Sequence, residues 1–238
     1  MSVVHVAGTG LWVGASPPPP AAILPPALRR RAGVLCRAVA EAVARALAEG
    51  GADPSRTPVV YGSVYGETTA AVEMMGAFAT GEGLPSPTTF HNSVHNAPAG
   101  YLSIATGCHA FSSSIAAGPE TAAMALLDAF LLLGQRGGDV VVALADEPVP
   151  PPLGQADGYP VAATAFLLRS GPPAPSRSRI GPPRRAGGAF PGLPAELALH
   201  PCAPAFRLER AIASGLRGPL SLGEGPEGGW CVDLEPAP

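Results

Sequence analysis

Residues 112–144 run Ser-Ser-Ser-Ile-Ala-Ala-Gly-Pro-Glu-Thr, then a long apolar stretch, then end in Asp-Val-Val-Val-Ala-Leu. The pattern is strand, tight turn, helix, strand. It constrains the fold more than any other stretch, because a helix that is apolar on nearly every side belongs between layers. The apolar run is too short to span a bilayer and carries Asp128, so its burial is expected inside a protein. The bend ahead of such a helix is where α/β enzymes present a nucleophile: the first N–H groups lack intrahelical partners, and the macrodipole adds partial positive charge there. Here the bend offers Gly118 and Pro119. Proline suits a first helical turn, but it has neither a nucleophilic atom nor an N–H to donate.

The rest of the chain alternates in the same way. Residues 3–13 have strand character interrupted by Gly8 and Gly10, and the proline tract at 17–26 is an extended lead-in. Over 28–49, Leu35, Val39, Val43 and Leu47 share one helical face, and Gly50 and Gly51 stop the helix. A short buried strand at 58–63 and a helix over 67–78 follow, then an irregular polar loop at 85–95 and a short helix at 97–106. Strand 112–117, helix 120–133 and strand 139–145 come next, with a further strand at 161–168 expected beside 139–145. The expectation is an α/β fold, a layered α/β/α sandwich over 1–170. A Pro/Gly/Arg-rich linker at 171–193 then leads to a small α+β appendage at 194–238, built from a helix near 205–216 and strands 220–222 and 230–234 across a glycine-rich turn.

Composition narrows the function classes. A chain of 238 residues can bury a substantial core. Its net charge of −3 leaves no clustered positive footprint for nucleic acid. All 15 basic residues are Arg, so no lysine Schiff base or lysine proton relay is available. Cys36, Cys108, Cys202 and Cys231 follow neither metal-ligand nor disulfide-framework spacing, which favours reduced thiols. The opening Met-Ser-Val-Val-His has no export-signal pattern, and the expectation is a soluble cytoplasmic protein with no membrane partner. His91 and His95 lie four apart, but no third ligand is near, so no metal or cofactor is expected; hydrogen-bonded loop histidines at a subunit contact are the better reading.

Several segments together carry a family resemblance: Val59-Val60-Tyr61-Gly62-Ser63, Ser86-Pro87 followed by Asn96-x-x-Ala99-Gly100, strand 112–117, and Gly138-Asp139-Val140-Val141-Val142-Ala143. In this order and spacing, over about residues 1–170, the chain resembles the N-terminal half of a β-ketoacyl synthase, a thiolase-fold condensing enzyme of fatty-acid and polyketide synthesis. The ungapped match places the family's nucleophilic Cys on Pro119, and a rival alignment places it on Phe111; either way Cys is absent. At Pro119 the change also removes the backbone N–H that forms half of the family's oxyanion hole. The two histidines and the lysine of the family's second half have no counterpart. The chain is therefore similar to the truncated, non-catalytic chain-length-factor subunits that pair with a catalytic ketosynthase, of the type found in aryl-polyene synthesis.

The resemblance implies a heterodimer with a ketosynthase, reached by acyl carrier protein through the complex. Ser112, Ser113, Ser114 and Ile115 would form the pairing edge, with His91 and His95 at the subunit contact. Ala71, Val72, Met74, Met75, Thr89 and Phe90 would line the acyl tunnel, although core packing explains Ala71, Val72 and the methionines as well. The arginines at 29–31 and 177–185 are either solvated charge or a carrier-protein contact. Two alternatives stand beside this reading: an acyltransferase or thioesterase-like enzyme using Cys108 with His91, His95 or His109, and an acyl-chain binding module with no obligate partner.

Overall fold

The computed structural model describes residues 3–14, 17–81, 84–154, 158–171, 176–223 and 229–236. In chain order, β1 (Val4–Val13) is followed by α1 (Pro26–Arg29), α2 (Val34–Gly50), β2 (Val59–Gly62), α3 (Thr68–Thr80), α4 (Pro87–Asn92), α5 (Ala97–Thr106) and β3 (Ser112–Ile115). A single 3₁₀ turn, Gly118–Glu120, then enters α6 (Thr121–Arg136), followed by β4 (Asp139–Asp146), β5 (Ala162–Arg169) and β6 (Ser178–Ile180). The chain closes with α7 (Ala195–Ala198), α8 (Ala203–Ala213), β7 (Gly218–Ser221) and β8 (Cys231–Pro236).

All eight strands form one sheet in the order β3-β2-β4-β5-β1-β6-β8-β7. β2 runs parallel to β3 and β4, and the other pairings are antiparallel, with β5 lying between β4 and β1. Strand periodicity sorts the core into two layers. Val140, Val142 and Leu144 of β4 face the side covered by α6 and α8, whereas Val141, Ala143 and Ala145 face α2 and α5. β5 divides likewise, Phe166 and Leu168 to one layer, Ala165 and Leu167 to the other. A central strand covered on both faces has to be apolar at consecutive positions, and β4 is buried from Val140 to Asp146. The layered α/β/α architecture is as the sequence indicates. Among the described residues, no helix is long and apolar enough to cross a membrane.

Four elements differ from the sequence expectation. The segment at 85–95 contains a helix: the Ser86 hydroxyl accepts from Thr89 N at 3.0 Å as an N-cap, and Pro87 occupies the first turn, the one place where proline favours a helix. α6 is not buried all round, since Leu131 is exposed and Leu127 and Asp128 are half-buried on one side. The stretch expected as an exposed linker supplies β6, which joins β1 to β8. The expected appendage continues the same sheet, with Phe206 and Leu208 of α8 in one core with Leu126 and Phe130 of α6. Three strand residues among prolines and arginines show no periodicity, so this strand was invisible. Arg179 of β6 and Arg184 just after it pair with acids of β8, Arg179 with Glu235 at 2.6 Å and Arg184 with Asp233 at 2.8 Å. Residues 172–175 of the linker and 224–228 of the glycine-rich turn lie outside the described residues.

The close seating of α2 on β1 explains the two glycines that interrupt the first strand. A Cβ at Gly10 would stand 1.9 Å from the Ala42 carbonyl oxygen, and one at Gly8 2.2 Å from that of Ala46, both rigid helix backbone. Gly10→Ala is expected to destabilise by about 2 kcal/mol or more through overpacking. Gly134→Ala, with open space on the outer side of α6, should be neutral or stabilising by up to about 1 kcal/mol. Denaturant midpoints of the two variants check this, and equal effects would contradict the packing argument.

Candidate functional site

β2 and β4 run parallel and end side by side, and the chain leaves them in different directions, at Ser63 toward α3 and at Asp146 toward the proline-rich connection. In open α/β sheets the crevice beyond such carboxyl ends is the usual ligand site. Here it holds a cleft of about 1180 Å³. One wall is a single face of α3, Thr68, Ala71 and Val72, at the spacing that brings helical residues together. The facing wall is Ala203, Pro204 and Arg207 of α8, again one helical face, with His200 beside it. Gly118 and Pro119, ahead of α6, contribute the third side, and Leu153 and Tyr159 of the β4–β5 connection the fourth.

Beneath the cleft lies a network of buried carboxylates. Asp146 accepts from the Ser63 hydroxyl at 2.7 Å, from the backbone N–H groups of Val64 at 3.0 Å and Tyr65 at 2.8 Å, and from the Cys202 thiol at 3.1 Å. Burial raises its pKa, and these donors oppose the rise. Glu147 accepts from Thr69 N at 2.8 Å and so caps α3, whose own N-cap residue, Glu67, makes no capping bond. Glu67 in turn accepts from Cys36 N at 2.8 Å and supplies the missing cap of α2. Gly33 at the N-cap of α2 leaves room for it, since a Cβ there would lie 2.4 Å from Glu67 Oε2. Burial, reinforced by the neighbouring Glu147, pushes the Glu67 carboxyl up to about 7.

Cys202, His200 and Asp146 have the composition of a thiol, imidazole and acid triad, but their hydrogen bonds run the wrong way for one. His200 Nδ1 accepts from Cys202 N at 3.0 Å, which assigns the ring proton to Nε2, 3.2 Å from the Asp146 carbonyl oxygen. Burial lowers the imidazole to about 4, so it stays neutral. The Cys202 thiol donates to the Asp146 carboxylate, and burial together with that negative charge raises its pKa well above the usual thiol range. The imidazole nitrogens face the Asp146 carbonyl and the Cys202 N–H, not the sulfur. The cluster ties α8 to β4.

The residues singled out from the sequence fall into separate places. Pro119 lies at the cleft and at the N-terminal end of α6, in a turn closed by the Thr121 hydroxyl, which accepts from Ala117 N at 2.9 Å and donates to the Gly118 carbonyl at 2.7 Å. Phe111 precedes β3 outside the cleft, with the Arg136 guanidinium 5.6 Å from its ring centre. Ala71 and Val72 line the cleft. Met74, Met75, Thr89 and Phe90 instead form an outer shelf where α3 meets α4: Ser93 Oγ donates to Met74 Sδ at 3.4 Å, Thr89 Oγ1 to Glu73 at 3.3 Å, and Met75 and Phe90 are exposed. His91 packs edge-on to Tyr101, and His95 Nε2 lies 2.9 Å from the Ser63 carbonyl oxygen, joining the network from below. Ser112 to Ile115 make up β3, the outermost strand, and Ser113 Oγ donates to Asp128 of α6.

Cys108 follows the glycine that ends α5; it is buried, and its Sγ points to the Thr57 carbonyl at 3.6 Å rather than to His91, His95 or His109. Arg177 and Arg185 are paired with Glu49 and Glu120, as Arg179 and Arg184 are with acids of β8, so the second arginine cluster stitches the C-terminal segment in place. Among the described residues, no group of three or more His, Cys, Asp or Glu is arranged to hold a metal ion. Sequence reasoning missed Glu67, Asp146, Glu147, His200, Cys202 and Arg207. The available signal was the Asp-Glu pair closing an apolar strand, where two acids at a buried terminus require donors from elsewhere.

Residues 5–180 match the family described as β-ketoacyl synthase, N-terminal domain. Among solved structures, a chain of a ketosynthase (ApeO) in complex with its chain length factor (ApeC), from Xenorhabdus doucetiae, is similar with a TM-score of 0.68 at 20% identity, covering 98% of this chain and 100% of that one. A second similar chain comes from a complex of a type II polyketide synthase acyl-carrier protein with its ketosynthase bound to the hexaketide, AntDE:AntF. There the TM-score is 0.62 at 13% identity, over 78% of this chain and 70% of that one. No curated protein sequence matches significantly.

The carboxylate network makes stability pH-dependent with a definite sign. Folded, Glu67 holds its proton to about pH 7, against 4.5 for an unperturbed Glu, so the folded state binds more protons between those values and stability falls as pH rises through them. Asp146 and Glu147, also raised, act in the same direction. Glu67→Gln keeps an acceptor for Cys36 N without the charge. Its denaturant midpoint relative to the natural protein should improve from pH 5 to pH 8, and a constant or worsening difference would contradict the assignment.

Proposed function

The chain belongs to the β-ketoacyl synthase N-terminal domain family, and from that premise we propose that it is a non-catalytic, chain-length-factor-like subunit. It pairs with a catalytic ketosynthase and shapes the acyl tunnel of that enzyme in polyketide or fatty-acid synthesis of the aryl-polyene type. The observation that carries the reading is Pro119. It lines the cleft at the start of the long apolar helix, where the ungapped resemblance puts the family's cysteine, and it offers neither a nucleophile nor an N–H for an oxyanion. The buried thiols of Cys108 and Cys202, one against a carbonyl and the other against a carboxylate, offer no replacement. Condensation then falls to the partner, which supplies the cysteine and histidines, and the acyl carrier protein meets this chain through the complex, in the cytoplasm.

The surface left open on this chain suits that role. β3 hydrogen-bonds to β2 on one side only. Val59 N and Ser63 N donate to the carbonyls of Phe111 and Ile115, so the alternation of a parallel ladder turns the N–H and C=O of Ser112 and Ser114 outward, ready for a strand from a partner. α3 buries only Thr68 although it is rich in apolar residues, and Met75, Phe78, Phe90 and Val94 stand exposed on the α3–α4 shelf. An exposed apolar surface and a free strand edge are each features of an interface. The neighbouring structures support the choice of partner, one being a ketosynthase with its chain length factor and the other a ketosynthase with its carrier protein.

Coexpression with each ketosynthase of the same genome, followed by size-exclusion chromatography, should yield with one of them a complex with one copy of each chain. Ser114→Pro removes an outward N–H while sparing the bonds to β2 and should weaken the complex at least tenfold with the fold retained. A stable monomer indifferent to all of these ketosynthases would overturn the proposal.

A further inference from the structure

α3 is held chiefly at its first turn. α2 buries nine of its residues, whereas α3, thirteen residues long, buries Thr68 alone, and its main packing partner is α4, a short helix that buries only Asn92. Two carboxylates make the attachment. Glu147, just past β4, accepts from Thr69 N at 2.8 Å and shares the Thr68 hydroxyl, at 3.3 Å, with the Pro148 carbonyl at 3.1 Å. Glu67, the residue before the helix, reaches the other way and accepts from Cys36 N at 2.8 Å in the first turn of α2. Its second oxygen packs so closely on Gly33 that a Cβ there would stand 2.4 Å away.

Glu67 and Glu147 are 3% and 1% exposed, and neither makes an ion pair among the described residues. Around Glu67 stand Cys36 of α2, Tyr61 of β2 and Tyr101 of α5, whose pKa values burial raises, so they stay neutral. Asp146 acts on Glu147 from the end of β4, and His95, against Gly66, has its Nε2 on the Ser63 carbonyl oxygen. Arg31 is exposed and acts on Tyr101. A second negative charge in this space has neither water nor a paired cation to offset it. Of the two helices tied here, α3 is the one able to yield, since α2 is fixed by its buried face. We propose that α3 is a flap on a carboxylate latch: Glu67 and Glu147 hold its first turn shut while one of them is protonated, and the turn lets go of β4 and α2 when both are charged. Thr68, Ala71 and Val72 of α3 are one wall of the cleft, so release widens it. The latch is independent of subunit pairing, and each can fail without the other.

The test is hydrogen-exchange mass spectrometry of the full chain from pH 5 to pH 8, with rates converted to protection factors. An opening that returns Glu67 to water takes its carboxyl from about 7 back toward 4.5, so it is favoured as pH rises and should become about tenfold or more commoner across that range. Peptides of α3 should lose that much protection relative to peptides of β4 and β5. Glu67→Gln should make the α3 profile follow that of β4. Glu147→Gln keeps an acceptor for Thr69 N and removes the repulsion, so α3 should stay protected at pH 8. Protection of α3 that follows β4 in the natural protein, a difference that survives Glu67→Gln, or an α3 as open at pH 8 in Glu147→Gln as in the natural protein would each overturn the proposal. If Glu67→Gln does not fold, the natural profile and Glu147→Gln still decide it.

Discussion

The Asp146 carboxylate is the point on which the architecture around the cleft depends. It sits at the end of a strand buried on both faces, where an acid is tolerable only if its oxygens are fully engaged, and the donors come from two parts of the chain. Ser63, Val64 and Tyr65 bring in the exit from β2, and Cys202 brings in the entry to α8. One side chain thus sets both walls of the cleft. Its neighbour Glu147 and the more distant Glu67 extend the principle to α3 and α2, whose first turns carry no capping side chain of their own. Helix placement here follows from acids delivered across the fold, whose oxygens accept the N–H groups that the first turns of α2 and α3 leave without an intrahelical partner.

The order of strands and helices through β5 was legible in the sequence because each element repeats a period. The apolar positions of α2 recur on one face, and β4 and β5 carry runs of consecutive apolar residues, as strands covered on both sides do. Gly8 and Gly10 looked like interruptions of a strand; their role, letting α2 sit directly on β1, becomes visible only when the helix carbonyls are in place. The 85–95 segment was misjudged because its prolines were weighed as breakers, whereas Pro87 occupies the one helical position that needs no N–H. β6 was beyond reach for a different reason. It is three residues long, and what fixes it is long-range pairing, Arg179 to Glu235 across strands and Ser178 Oγ to the Glu235 carbonyl at 2.8 Å.

The candidate site was legible only at its silent end. Pro119 could be placed from spacing, because the turn, the apolar helix and the following strand form a contiguous pattern. The opposite wall comes from residues 198–207, past the point where local pattern decays, and nothing in a single helix of eleven residues announces which face looks into a cleft. The residues that the resemblance assigns to a tunnel divide for a related reason. Thr68, Ala71, Val72 and Met75 share one face of α3, but the cleft ends at Val72, so Met75, the next residue along that stripe, stands exposed beyond it.

The electrostatics of the cleft now follow from where the charges are satisfied. The chain as a whole is acidic, with a net charge of −3, yet the acids nearest the cleft are spent on backbone N–H groups and on the Cys202 thiol. Among the described residues, two sources of positive potential line the cleft, the N-terminal end of α6 behind Gly118 and Pro119, and Arg207, which makes no ion pair there. His200 is neutral with both ring nitrogens engaged, so it does not temper that potential. Such a cavity attracts anions. Pro119 leaves the potential in place, since proline at a first helical turn brings neither a charge nor a donor of its own.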